Sequence, residues 1–429
     1  MENNIKMLFL QLSIGGVPRS DAMEPLAFGI LKALTPDNFH VDFKDENLGD
    51  SYNVEDYDWI IMTASSFTAK RAYDISKYAR KCGVKTALGG FHSSSLPGEA
   101  SEYVDVVFVG DAEDTWPEFI IDLEDGAYKR NYISQFISFE NTVYDTSIFE
   151  DKKYPILKAV QVSRGCKYNC EFCSVSSMYK KVRYRSSAQI IEEIKNRKLK
   201  LIFFADDNLL HNREDLIALL TGIEALNIKW AAQISIDVAD DEELLKLIKK
   251  SGCILLLIGF ESLRDKNLKL MKKSVNIKRS YDEKIAKIYE HGIAIYATFV
   301  LGYDYDDIDS FEEIKEFCNK HKFYLANFNP LMAMPGTPLY NRLKNENRLT
   351  MEKWWLNPNY KYGMSMIVPK NMTETELEKG AYMLRSEFYS YKSIIQRLAN
   401  NVNRIHPLVF LMTNLVSRRE IHKKQGVNL

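Results

Sequence analysis

Twice along this chain, short apolar runs alternate with stretches of helical periodicity, and that rhythm permits few folds. In residues 1–130 the runs IKMLFLQL, HVDF, DWIIMT, VKTALGG and VVFVG read as strands, separated by helical stretches such as EPLAFGILKAL and AKRAYDISKYARKC. Strands joined through helices run parallel, because a helical crossover returns the chain to the same end of the sheet. The pattern predicts an α/β domain with a flavodoxin-like or Rossmann-like parallel sheet covered on both faces. Over 154–340 the rhythm resumes with KAVQV, KLIFFA, IKWAAQIS, CILLLIGF, GIAIYATFVLG and FYLANFNP, and amphipathic stretches such as DEELLKLIKKSG lie between them. Six consecutive βα units predict a partial (β/α)6 barrel with its chemistry at the carboxyl ends of the strands. A polar connector, 131–153, is expected between the two. Residues 341–429 read as a mostly helical, aromatic-rich region with a capping box at TETE, Thr373 to Glu376.

Directly after the first strand of the second series comes VSRGCKYNCEFCSV, which places Cys166, Cys170 and Cys173 at C-x-x-x-C-x-x-C spacing. The redox compartment decides how to read them. The start, MENNIKMLFLQLS, has no basic segment or secretory apolar stretch, and no run reaches the ~18 apolar residues of a membrane span. A cytoplasmic protein with reduced thiols is therefore expected, and a tight cysteine group there reads as a metal site. With a formal net charge of −1 and interspersed acids and bases, the chain is not expected to bind nucleic acid. A structural zinc site needs four ligands, and neither a second C-x-x-C pair nor a suitable histidine pair follows. Cys82, Cys253 and Cys318 sit singly in helix or strand patterns and read as small buried apolar residues. Three thiolates on one loop suit a 4Fe-4S cubane with one iron left open to a further ligand.

These residues carry a family resemblance. The triplet after the first strand of a six-unit barrel, with Phe172 just before the last cysteine, resembles the radical S-adenosylmethionine (SAM) superfamily. The resemblance implies that the open iron binds SAM and that reductive cleavage yields a 5'-deoxyadenosyl radical, with electrons from an external reductant such as a flavodoxin or ferredoxin. It also implies SAM contacts at Asp206 and Asp207 in FFADDN, at Ser235, at Glu261 closing CILLLIGFE, and at Gly302 in FVLGYDYDD. The simpler alternative for the aspartate pair is a cap on the following helix. Glu261 is the stronger candidate, because an unpaired acid buried in a strand is costly.

The first region resembles the cobalamin-binding domain fused ahead of many such enzymes, through EPLAFGILKAL, DWIIMTASSFT, ALGGFHSSSLPGEA and DVVFVGDAEDTWPEFI. The implied cobalamin contacts are Ser65, Ser66, Gly89, Gly90, His92 and Gly110. Asp111 stands where a glutamate is usual, and no D-x-H-x-x-G supplies a histidine to cobalt. A scaffold that binds nothing is the alternative. The tail, MAMPGTPLYNRLKNENRLT and IVPKNMTETELEKGAYMLRSEFYS, together with ISIDVADDEELL, resembles the hopanoid C-2 methylase-like branch. The resemblance implies a methyltransferase acting on an unactivated carbon of a small-molecule, lipid or peptide substrate, by way of methylcobalamin and the 5'-deoxyadenosyl radical. A radical SAM oxidoreductase or cyclase without methyl transfer is the alternative. The final segment, HPLVFLMTNLVSRREIHKK, is apolar and then basic. It is expected to pack on the barrel, with docking on a partner or membrane surface as the alternative use.

Overall fold

The computed structural model describes residues 5–19, 21–136, 139–140, 142–277 and 280–425. In the first region lie strands β1 (Lys6–Gln11), β2 (His40–Asp45), β3 (Trp59–Thr63), β4 (Lys85–Gly89), β5 (Val106–Val109) and β6 (Asn131–Ile133). They form one parallel sheet in the order β2-β1-β3-β4-β5-β6. Along β1 the residues Met7, Leu8, Phe9 and Leu10 are all buried. That lack of alternation follows from helices on both faces. Met7 and Phe9 join a core with Phe28, Trp59, Trp116 and Phe119 on one side, while Leu8 and Leu10 join Ile60, Met62, Tyr73 and Leu88 on the other. The start of the expected connector is not a linker. Asn131–Ile133 pairs with β5 and closes that edge, a strand too short to register as an apolar run.

The second sheet contains β7 (Lys158–Val160), β10 (Leu201–Phe204), β11 (Lys229–Gln233), β12 (Cys253–Glu261), β13 (Ala294–Leu301) and β14 (Leu325–Pro330). A two-strand antiparallel ribbon, β8 (Ser163–Arg164) and β9 (Arg183–Tyr184), interrupts the series after β7. The six long-range strands pair in parallel in chain order, with β7 and β14 at the edges, so the barrel is open. In β13 the residues Ile295, Ala297, Phe299 and Leu301 are buried under helices, whereas Tyr296, Thr298 and Val300 are only partly covered. This is the alternation of an open barrel's outer and concave faces.

Beyond β14 the chain is helical. Helix Glu374–Phe388 starts with the expected capping box: Thr373 Oγ1 accepts from the Glu376 N–H, and Glu376 accepts from the Thr373 N–H. Tyr389 then bonds both the N–H and the carbonyl of Ala326 in β14. A loop of this region also reaches the first sheet's helices. Trp354 packs on Phe67, and Trp355 donates to Glu99 at 2.8 Å.

Candidate active site at the junction of the two sheets

Both ends of the cysteine loop are pinned by carboxylates. Asp206, after β10, accepts from the N–H groups of Val162 (3.1 Å) and Ser163 and from the Ser163 hydroxyl (2.5 Å). Burial pushes its pKa up to about 7 against those bonds. Asp207 accepts from the Gly165 N–H at 3.3 Å, and burial pushes it up to about 6. The aspartate pair is therefore not a helix cap. Asn212 caps the next helix by accepting from the Glu214 and Asp215 N–H groups. At the far end, Cys173 precedes the short helix Ser174–Met178, and the Ser176 hydroxyl donates to the carbonyls of Cys170 and Cys173. Glu171 accepts from Tyr303 and from Arg342 (2.8 Å), tying the loop to the end of β13 and to helix Pro338–Asn345. Phe172 packs, half-buried, on the barrel core.

The three thiols are sheltered, and burial raises the pKa of each, that of Cys170 to about 12. Thiolates there need a nearby cation. Lys273 supplies one: burial pulls its pKa down, but Glu261 and Cys170 outweigh that and hold it above the ordinary lysine value. Its Nζ lies 3.2 Å from Glu261 Oε1. Glu261 ends β12 at φ 65° and folds back over Gly259, where an added Cβ would stand 2.1 Å from Glu261 Oε1. A side chain at 259 would displace that carboxylate from its present position. Glu261 and Lys273 thus sit together on the concave side of the strand ends, and Tyr168 of the cysteine loop lies beneath the Lys273 ammonium. Ser235 follows β11, donating its N–H to Asn208 and lying 3.4 Å from the Tyr168 hydroxyl. Gly302 stands slightly apart. Its Cβ direction is filled by Leu377, and its N–H is taken by Asp306 at 3.0 Å.

The first sheet meets the cysteine segment at the carboxyl ends of its strands. Gly89, Gly90 and Gly110, at the ends of β4 and β5, line a cavity of about 260 Å³ whose apolar side includes Leu31, Phe108 and Trp116. Its opposite wall is Gln161, Arg164, Met178 and Tyr179, all from the segment that carries the cysteines. Gly90 adopts φ 101°, and a Cβ there would stand 2.7 Å from the Ala64 carbonyl, so the loops after β3 and β4 touch through backbone. Arg164, two residues before Cys166, joins the halves: it pairs with Asp111 (3.1 Å) and Glu113 (2.8 Å). Asp111 also takes Arg183 at 2.6 Å and the Tyr179 hydroxyl at 3.1 Å. The residue that departed from the expected glutamate is therefore the hub between the two sheets.

Three of the residues assigned to cobalamin are not on that wall. Ser65 is exposed on the loop after β3. Ser66 and His92 are turned inward: His92 is fully buried, with Nδ1 3.0 Å from the Ser66 hydroxyl and Nε2 3.0 Å from the Tyr73 hydroxyl and 3.3 Å from Glu99. A ring so enclosed serves the interior packing, which corrects the expectation of a ligand-facing loop histidine. Lys273, Arg164 and Tyr168 carry site geometry that spacing alone did not single out.

Residues 160–318 match the model of the radical SAM superfamily. The chain is 29% identical over 410 residues to the bacteriochlorophyllide d C-12(1)-methyltransferase of Chlorobaculum tepidum, covering 92% of this chain and 89% of that one. It is 27% identical over 350 residues to the hopanoid C-2 methylase of Rhodopseudomonas palustris, covering 76% of this chain and 65% of the methylase. Among solved structures, the cobalamin-dependent SAM radical enzyme OxsB, with aqua-cobalamin and SAM bound, superposes with a TM-score of 0.68 at 15% identity, over 97% of this chain and 72% of OxsB. TsrM, a radical SAM methyltransferase from Kitasatospora setae with cobalamin and a [4Fe-4S] cluster bound, gives 0.64 at 13% identity, over 80% of this chain and 75% of TsrM.

Proposed function

We propose that this chain, which carries a radical SAM domain in its second sheet, is a cobalamin-dependent methyltransferase acting on an unactivated carbon. The observation that carries the reading is the shared wall: the segment bearing Cys166, Cys170 and Cys173 also closes the glycine-lined cavity of the first sheet. Two cofactor sites bordered by one loop suit a reaction that passes a group between them.

The donor chemistry suits both groups, and a cluster would draw the three thiols together from their present positions, since no three Cys, His, Asp or Glu side chains among the described residues are gathered as metal ligands. Cys166, Cys170 and Cys173 would hold a 4Fe-4S cluster, with Lys273 offsetting the thiolate charge. Glu261 offers a carboxylate to the ammonium of SAM through a charge-assisted hydrogen bond. Ser235, Asp207 and the backbone at Gly302 would line the rest of that site, and Asp206 positions the cysteine loop. Gly89, Gly90 and Gly110 would let the cobalamin nucleotide approach backbone, with the apolar wall receiving its base. When bound, the cluster with SAM supplies the radical and cobalamin carries the methyl group. The chain's own share is to bind, orient and exclude water. We further place the enzyme in a reducing cytoplasmic setting, drawing electrons from a flavodoxin or ferredoxin.

The test is anaerobic reconstitution with iron, sulfide and hydroxocobalamin, followed by absorption spectroscopy and incubation with SAM labelled in its methyl group. Cluster and cobalamin bands, with label transferred to protein-bound cobalamin and S-adenosylhomocysteine formed, are the expected result. Formation of 5'-deoxyadenosine by protein that retains no cobalamin and forms no S-adenosylhomocysteine would move the reading to the oxidoreductase or cyclase class.

A further inference from the structure

Helix Pro407–Lys424 packs on the barrel by one face only. Phe410 and Asn414 are buried there, Asn414 bonding Arg397 (2.8 Å) and the Tyr324 carbonyl (3.2 Å). The other face is apolar and open: Leu408 is 74% exposed and Met412 68%, with Val409, Leu415 and Val416 beside them. Leu408, Met412, Leu415, Arg419 and Lys423 follow one another at helical spacing, so the open stripe is apolar for two turns and basic for the next two. The patch widens onto neighbouring segments through Ile405, Tyr391 and Ile395, the last 66% exposed. Isolated apolar side chains on a surface are ordinary, but eight in one region are not.

We propose that this surface docks on an anionic lipid bilayer, independently of the enzymatic reading. Charge selects the occupant. The chain as a whole carries −1, yet residues 389–425 hold seven Lys and Arg, of which Arg397 is buried, against one acid, Glu420, which is also buried. A second copy of this chain is a poor fit, because an antiparallel two-fold contact along the helix would set the basic turns of each copy against the apolar turns of the other. An anionic headgroup layer meets the basic turns while Leu408, Met412 and Val416 enter the acyl boundary, an apolar-then-basic order along the helix that suits a tilted, shallow contact. The association is peripheral, since no helix among the described residues is long and apolar enough to cross a membrane.

The full chain is tested by flotation with vesicles of phosphatidylcholine alone and of phosphatidylcholine with about 30% phosphatidylglycerol. Binding to the anionic vesicles should exceed binding to neutral ones by about tenfold or more and weaken with salt. Leu408→Ser/Met412→Ser/Val416→Ser and, separately, Arg419→Glu should each lower it by about tenfold or more with an unchanged thermal midpoint, because each altered side chain is exposed, whereas Lys423, whose ammonium donates to the Pro18 carbonyl, is left in place. Absence of vesicle binding overturns the proposal. So does retention of binding by the triple serine variant, which would mark simple electrostatic adsorption. A concentration-dependent dimer abolished by that variant would assign the face to a second copy.

Discussion

Lys273 makes the cysteine loop chemically workable, since three sheltered thiols with raised pKa values release protons to a cluster more readily beside a fixed cation. Replacing Cys166, Cys170 and Cys173 together by alanine should abolish iron-sulfur absorption and 5'-deoxyadenosine formation. Replacing Cys253 or Cys318 by alanine should keep the cluster and lower stability by ~1 kcal/mol or more, because both are buried. Glu261→Gln should weaken SAM binding by about ten- to a hundredfold, the worth of a charged hydrogen bond, with cluster content preserved. Equilibrium binding of SAM to the reconstituted protein reads this directly, and parental affinity would remove Glu261 from the site. Much at this scale is legible in sequence, because metal ligation depends on spacing and a strand-closing acid demands a partner. The partner's identity is not: LMKKS offers Lys272 and Lys273, and only the turn after helix Asp265–Leu270, with Lys272 at φ 58°, directs Lys273 inward while Lys272 is exposed. The direction of the His92 ring is illegible for a related reason. A motif places a residue on a loop, but packing decides which way the ring turns.

At the scale of elements, the β8–β9 ribbon is the part that joins chemistry to scaffold. Its Arg164 and Arg183 both meet Asp111, at the start of the helix after β5, and Arg164 also meets Glu113, two residues on. Arg164→Met would leave Glu113 without its arginine and Asp111 with Arg183 alone, and should cost about 3 kcal/mol, seen as a lower urea midpoint. Arg164→Lys keeps the charge but loses the planar fork, so a smaller loss is expected. In the reconstituted protein both should reduce cobalamin retention before they reduce iron content, since Arg164 is on the cavity wall. Equal loss of both cofactors would instead mark general unfolding. The strands of this architecture are legible as runs of Val, Ile, Leu and Phe, and the parallel pairing follows from the helices between them. The ribbon and β6 are not, because two or three residues carry no periodicity.

Across the whole molecule, the third region fastens the first two together. Glu99, on the helix Pro97–Tyr103 of the first region, accepts from His92 of the same region, from Trp355 (2.8 Å) and from Lys353 (3.0 Å). Burial opposes its ionisation, but these bonds outweigh that and hold its carboxyl down to about 2. A carboxyl depressed on folding adds stability that is present above its unfolded pKa and lost as pH falls. Glu99→Gln should therefore lower the urea midpoint of the cofactor-free protein at about pH 5, with the gap closing towards about pH 2. A constant gap would show that the carboxylate's charge is irrelevant. The same staple bears on the order of events. With Trp354 wedged against Phe67 and Trp355 bonded to Glu99, the two sheets cannot swing apart about the connector while these contacts hold. Ligand exchange in the proposed enzyme must then proceed with the sheets held together, so a pair of spectroscopic labels, one on each sheet, should report the same separation before and after ligand is added.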